Sequence, residues 1–147
     1  MEKVIKRLIQ LNKTISTMES CTGGGIANAI TNVEGSSKVF SFSAVTYSNE
    51  FKIKMGVDSK IIEKYTVYSK ETAASMAKSI SDFTNSDYGI GVTGKLNKID
   101  NIVYFSIYDK KNDLSYTNSL SIDLISRSNA KEIIIKIIEE KMLEILN

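Results

Sequence analysis

Residues 14–31 read Thr14-Ile15-Ser16-Thr17-Met18-Glu19-Ser20-Cys21-Thr22-Gly23-Gly24-Gly25-Ile26-Ala27-Asn28-Ala29-Ile30-Thr31. Thr14 to Met18 is short and rich in β-formers, which predicts a strand. Gly25 to Thr31, built largely of small residues, reads as a helix able to pack closely against its neighbours. A strand that feeds a helix through glycines points to an α/β fold. Two uses of the turn stay open. Free N–H groups and the positive end of the helix dipole favour an anion there, with Ser20 and Thr22 adding hydroxyl donors. Alternatively, the turn needs small residues only to close tightly.

Upstream, Val4, Ile5, Leu8, Ile9 and Leu11 recur at helical spacing, with Glu2, Lys3, Lys6 and Arg7 on the other side. Downstream, Phe42 to Tyr47 alternates as a strand, and Asn49 can cap a short helix through Phe51 to Met55. Asp58 and Ser59 begin another helix through Ile61 and Ile62. Ser69 caps a longer one with Ala73, Ala74, Met76, Ala77, Ile80 and Phe83 as its apolar stripe. Tyr88 to Val92 reads as a buried strand. Ile102 to Tyr108 and Tyr116 to Ile122 read as a hairpin turning over Asp109 to Asp113. A final helix from about Arg127 points Ile133, Ile134, Ile137, Ile138, Met142 and Ile145 inward. Helices alternate with strands early and a meander comes late. The expectation is one domain over residues 1–147, a three-layer α/β/α fold whose mixed central sheet carries helices on both faces.

The chain has 147 residues, 42% of them hydrophobic and 24% charged, the composition of a globular protein. A net charge of +2, with no basic face or tail, argues against a nucleic-acid partner. Lys3, Lys6 and Arg7 interrupt the N-terminus, so it lacks the apolar run of a signal peptide, and no stretch is long enough for a membrane span. A lone cysteine forms no internal disulfide, which leads us to expect a reducing cytoplasm. No cofactor is expected.

Histidine is absent, so nucleophilic chemistry here must use lysine, tyrosine or a carboxylate as its base. Cys21 sits on a turn that can lower a thiol pKa, but without a histidine partner a structural, partly buried cysteine is the expected role. Gly89 to Lys95 spells Gly-x-x-x-x-Gly-Lys, yet Leu96 stands where the magnesium-holding hydroxyl belongs and a strand follows, so the match reads as accidental. With no histidine and one cysteine, no metal site is expected. A second block remains, Gly35-Ser36-Ser37 followed by Thr46-Tyr47-Ser48-Asn49-Glu50-Phe51-Lys52. Lysine can take a serine proton when burial lowers its pKa, and tyrosine can relay it. Ser37, Tyr47 and Lys52 could share such a site, or Ser36 and Ser37 could cap a turn while Lys52 lies on the surface.

The Glu-Ser-Cys-Thr-Gly-Gly turn, Gly-Ser-Ser and the Val45-Thr46-Tyr47-Ser48-Asn49 run ending in Lys52 resemble the CinA C-terminal domain family of nicotinamide-nucleotide amidases. The resemblance continues through Met55-Gly56-Val57, Val67-Tyr68-Ser69-Lys70-Glu71, Met76-Ala77 and Val92-Thr93-Gly94. It implies metal-free hydrolysis of nicotinamide mononucleotide to nicotinate mononucleotide and ammonia, in a homodimer with a small-molecule nucleotide as partner and no membrane. It assigns Ser37 as nucleophile and Tyr47 and Lys52 to the proton, and it implies a substrate pocket from Ser20, Cys21, Thr22, Gly23, Gly24, Gly35, Asn49, Thr93, Gly94 and Arg127. Two departures stand out. The family's glycine-rich loop after Thr-Gly is replaced by the shorter Lys95-Leu96-Asn97-Lys98-Ile99-Asp100, and of two late arginines only Arg127 is present, with Asp123 at the other place. Lys95 and Lys98 are candidates to replace the lost donors. The other readings are a non-catalytic module binding a nucleotide or a partner, and a stand-alone structural or oligomerisation domain.

Overall fold

A computed structural model describes residues 1–123 and 126–147. Its strands are β1 (Ile15–Glu19), β2 (Phe40–Val45), β3 (Tyr88–Lys95), β4 (Ile102–Asp109) and β5 (Leu114–Leu120). They form one sheet in the order β2-β1-β3-β4-β5. β1 is parallel to both its neighbours, while β3, β4 and β5 form an antiparallel meander. Alternation along β1 sends its side chains to both faces. Ile15 joins the larger core with α1 (Glu2–Leu11), α2 (Gly25–Thr31) and α6 (Arg127–Leu146), where Val4, Leu8, Ile26, Ile30, Ile134 and Ile138 are fully buried. Met18 joins Val57, Met76 and Ile80 in a smaller core, under α3 (Asn49–Lys54), α4 (Ser59–Tyr65) and α5 (Lys70–Thr84). The fold is the expected three-layer α/β/α arrangement with a mixed sheet. Among the described residues no helix is long and apolar enough to cross a membrane.

Local chemistry sets the boundaries. Ser69 Oγ accepts the Thr72 N–H at the start of α5, and Asn85, in the left-handed region, ends it. The cap of α3 is Ser48 and not Asn49: Ser48 Oγ accepts the Phe51 N–H at 3.2 Å. β2 starts two residues earlier than its alternation suggests, because Ile15 pairs with Phe40 but Thr17 pairs with Ser43. That one-residue bulge resets which side chains face which layer. β3 continues past Val92 to Lys95 because β4 pairs along its whole length, and β5 lies two residues before its expected place. On α5, Thr72 and Ser81 take buried positions, while Phe83 lies on the surface against Phe42, ring centroids 5.4 Å apart.

The two glycines of the phosphate-loop look-alike are needed for packing, Gly89 against Ala77 of α5 and Gly94 against Ile102 and Val103 of β4. Gly91, between them, lies as close to α5. A Cβ there would meet the Ala77 N and Met76 Cβ of α5 at 2.5 and 2.8 Å, and Gly89 presses on the same helix. These glycines let a helix lie directly on a continuous strand, and no loop opens at them. The parallel arrangement of β1, β2 and β3 brings their C-terminal ends to one edge. Ligands of α/β sheets bind at such an edge.

Candidate active site

The chain leaves β1 through Ser20. The Ser20 N–H donates to Val92 O at 3.0 Å, and its carbonyl accepts the Gly23 N–H at 3.0 Å, which closes the turn. Gly23 and Gly24 hold left-handed φ values of 61° and 89°, which a residue with a side chain adopts at a cost. Glu19 points the other way and is fully buried. Its carboxylate accepts the Thr22 hydroxyl at 2.7 Å and the N–H groups of Ile26 and Ala27 at 3.0 and 2.8 Å. The positive end of α2 is therefore occupied by a side chain of this chain. Of the two uses left open for the turn, this geometry favours tight closure. Thr22 and the glycines shape the turn around Glu19.

Lys52 sits in the second turn of α3 and is 1% exposed. Its Nζ lies 2.7 Å from Thr46 O and 3.2 Å from Ser20 Oγ. Burial pushes its pKa below the ordinary lysine range. A lysine amine against a serine hydroxyl in a dry setting is the arrangement of a nucleophile with its base. Cys21, next in the chain, has its thiol pushed up to about 11 by burial, so it stays protonated at neutral pH.

Ser20, Cys21, Tyr47, Asn49, Lys52, Val67, Tyr68, Thr93, Gly94 and Arg127 line one cleft of about 140 Å³. Thr93 is buried and its hydroxyl donates to Val67 O at 2.9 Å, joining β3 to the approach to α5. Arg127, the first residue of α6, donates to Leu96 O at 2.8 Å and lies 3.5 Å from the Tyr47 hydroxyl. It thus pins the shortened segment after Gly94 to the cleft. Tyr47 is 67% exposed, with its hydroxyl beside Arg127 and not at Lys52. Lys95 pairs with Asp100 at 3.1 Å and sits over the Tyr68 ring, while Lys98 is exposed outside the cleft. Among the described residues no cluster could hold a metal.

Ser37 is elsewhere. It lies exposed in a 3-10 turn over Ser36–Lys38, ahead of β2. Lys52 and Tyr47 follow the far end of that strand, about 20 Å away at the usual rise per residue. The joint site of Ser37, Tyr47 and Lys52 implied by the resemblance does not form, and Ser37 takes the turn position that was the other reading. Gly35 caps the same remote turn and borders a different surface cleft with Glu2, Lys6 and Lys38. A parallel strand carries the chain across the molecule, so six residues of sequence separate opposite edges. Val67 and Tyr68 line the cleft but were not among the expected site residues. Their signal was positional, just before the Ser69 cap.

The sequence profile of the CinA C-terminal domain matches residues 1–96. The chain belongs to the CinA C-terminal domain family. The match stops at Leu96, where the segment held by Arg127 departs from the family pattern. A CinA-like protein of Endomicrobium trichonymphae is 41% identical over 122 residues, covering 78% of this chain and 28% of that relative. This CinA C-terminal domain spans about a quarter of the length of the curated relatives it matches. Competence/damage inducible protein CihA from Agrobacterium tumefaciens superposes with a TM-score of 0.87 at 29% identity, over 99% of this chain and 94% of that one. Competence or damage-inducible protein from Enterobacter asburiae does so with a TM-score of 0.89 at 24% identity, again over 99% and 94%, which speaks for the fold.

Proposed function

We propose that this domain is a serine amidohydrolase that converts nicotinamide mononucleotide to nicotinate mononucleotide and ammonia, with Ser20 as the nucleophile. The observation that carries this is the buried Lys52 Nζ at 3.2 Å from Ser20 Oγ, in a chain without histidine. Neutral Lys52 takes the Ser20 proton as Oγ bonds to the carboxamide carbon. The resulting ammonium returns that proton to the departing nitrogen, the C–N bond breaks, and ammonia leaves an acyl-serine. Water, deprotonated by the same amine, then releases the carboxylate. The N–H groups of Cys21 and Thr22 follow the nucleophile and make no backbone hydrogen bond among the described residues. They are the donors we assign to the oxyanion. Arg127 at the mouth is the cation for the substrate phosphate.

The homodimer implied by the resemblance belongs to the same proposal. The exposed Phe42–Phe83 pair beside the open edge of β2 is the surface that supports it.

Ammonia release from nicotinamide mononucleotide tests the reading. Wild type and Ser37→Ala are expected to turn over alike, while Ser20→Ala falls to background. Activity lost in Ser37→Ala and kept in Ser20→Ala would reverse the assignment. A ligand-induced rise in Tm without turnover in the wild type would make the domain a nucleotide-binding module.

A further inference from the structure

Tyr68 borders the cleft, and its backbone is held from both sides. Its N–H donates to Thr66 Oγ1 at 3.3 Å, the preceding carbonyl accepts from Thr93, and the following Ser69 caps α5. Its ring is held too. Lys95 Nζ lies 4.8 Å from the ring centroid, and Asp100 fixes that ammonium at 3.1 Å. The residue is nonetheless 40% exposed. It stacks on no other aromatic, since the one aromatic pair among the described residues is Phe42–Phe83. A flat ring thus borders a small cavity that Ser20 and Lys52 also line. The cavity's 140 Å³ is less than half of the ~300 Å³ at which small-molecule sites begin. It has room for a ring with its carboxamide and leaves the rest of a nucleotide outside.

We infer that Tyr68 determines specificity, its ring being the face on which a flat, cationic heteroaromatic carboxamide lies while Ser20 reaches the carbonyl carbon. This deepens the amidase reading and rests on it. A phenol face attracts a pyridinium ring through its quadrupole and its flat contact area. An aliphatic amide has neither the charge nor the plane, so the same wall selects against it. Lys95 acts as a positioning residue that sets the angle of the ring. This role takes Lys95, one of the two lysines considered above as replacements for lost donors, out of ligand contact.

The probe is 1-methylnicotinamide, which carries the cationic ring and the amide without ribose or phosphate, titrated against the Ser20→Ala protein so that no turnover intervenes. Adding Tyr68→Phe is expected to leave its affinity within about twofold, and Tyr68→Leu to weaken it about tenfold. In the Ser20 protein, Tyr68→Leu is expected to raise KM for nicotinamide mononucleotide with kcat nearly unchanged. Unaltered Tm values for both variants exclude a folding defect. Equal affinity for the Leu and Phe variants, or no binding of the probe at millimolar concentration, overturns the inference. Probe binding that depends on Tyr68, without ammonia release by the wild type, would sink the amidase reading and leave the ring-binding wall standing.

Discussion

Lys52 is the residue on which function and stability pull apart. Burial disfavours its charge, so its folded pKa lies below the unfolded value of 10.5. Between those two values the unfolded chain binds a proton that the folded chain does not, and stability therefore rises with pH across that window and is lower beneath it. Lys52→Met is accordingly expected to raise Tm at neutral pH, by about 2–4 °C for each kcal/mol recovered, while ending ammonia release. Calorimetry beside the activity assay checks both. A lowered Tm would mean that the hydrogen bonds to Thr46 and Ser20 outweigh the desolvation. The same amine gives the pH profile its sign. The rate kcat/KM should rise with pH and level off at an inflection below 10.5, and a profile that falls over that range would exclude Lys52 as base. The missing histidine narrowed the base to lysine, tyrosine or a carboxylate, and the family resemblance singled out the Lys52 of the proposed mechanism. Which serine it serves was not legible, because that depends on where a strand carries the chain.

At the scale of elements, α2 and α5 show two ways in which helices are fixed to this sheet. Glu19 holds α2 by its first turn, so Glu19→Gln replaces one acceptor with a donor facing N–H groups. It should cost about 2–3 kcal/mol in urea denaturation and loosen the turn carrying Ser20. No loss of stability would show that a neutral side chain serves as well. α5 lies on β3 without intervening side chains at Gly91, so Gly91→Ala forces the helix outward, an overpacking cost of about 1–3 kcal/mol or more. Wild-type stability in that variant would mean that the helix can retreat freely. Both elements were visible in the sequence, from small residues in α2 and from the Ser69 cap and periodic apolar residues in α5. Their contacts were not. Gly89 to Lys95 looks like a motif because close packing and phosphate binding both require glycine. Likewise Phe83 falls on the apolar stripe by spacing, yet it meets Phe42 at the surface, beside the bulge in β2.

Across the whole molecule, the homodimer we propose would pair at the open β2 edge, beside the exposed Phe42 and Phe83 rings. Sedimentation velocity on Phe42→Ser plus Phe83→Ser is expected to shift a dimer to monomer, and an unchanged dimer would move the interface to another face. The three-layer order was readable from the succession of elements, whereas most of the residues that line the cleft entered through the family resemblance. The remote position of Gly35 and Ser37 required knowing that β1 and β2 run parallel. The seating of α5 on bare strand backbone has a further consequence, in how the molecule breathes. Interleaved side chains let a helix slide by exchanging rotamers, but backbone against backbone has no such freedom. The floor beneath Ser20 therefore resists shear, and passage to the cleft falls to residues 97–101, tied down by Arg127 through Leu96, by Lys95 through Asp100, and by Ser121 and Ile122 through Asn101. In hydrogen exchange the amides of α5 and β3 should be among the last to take up deuterium, and those of residues 97–101 among the first.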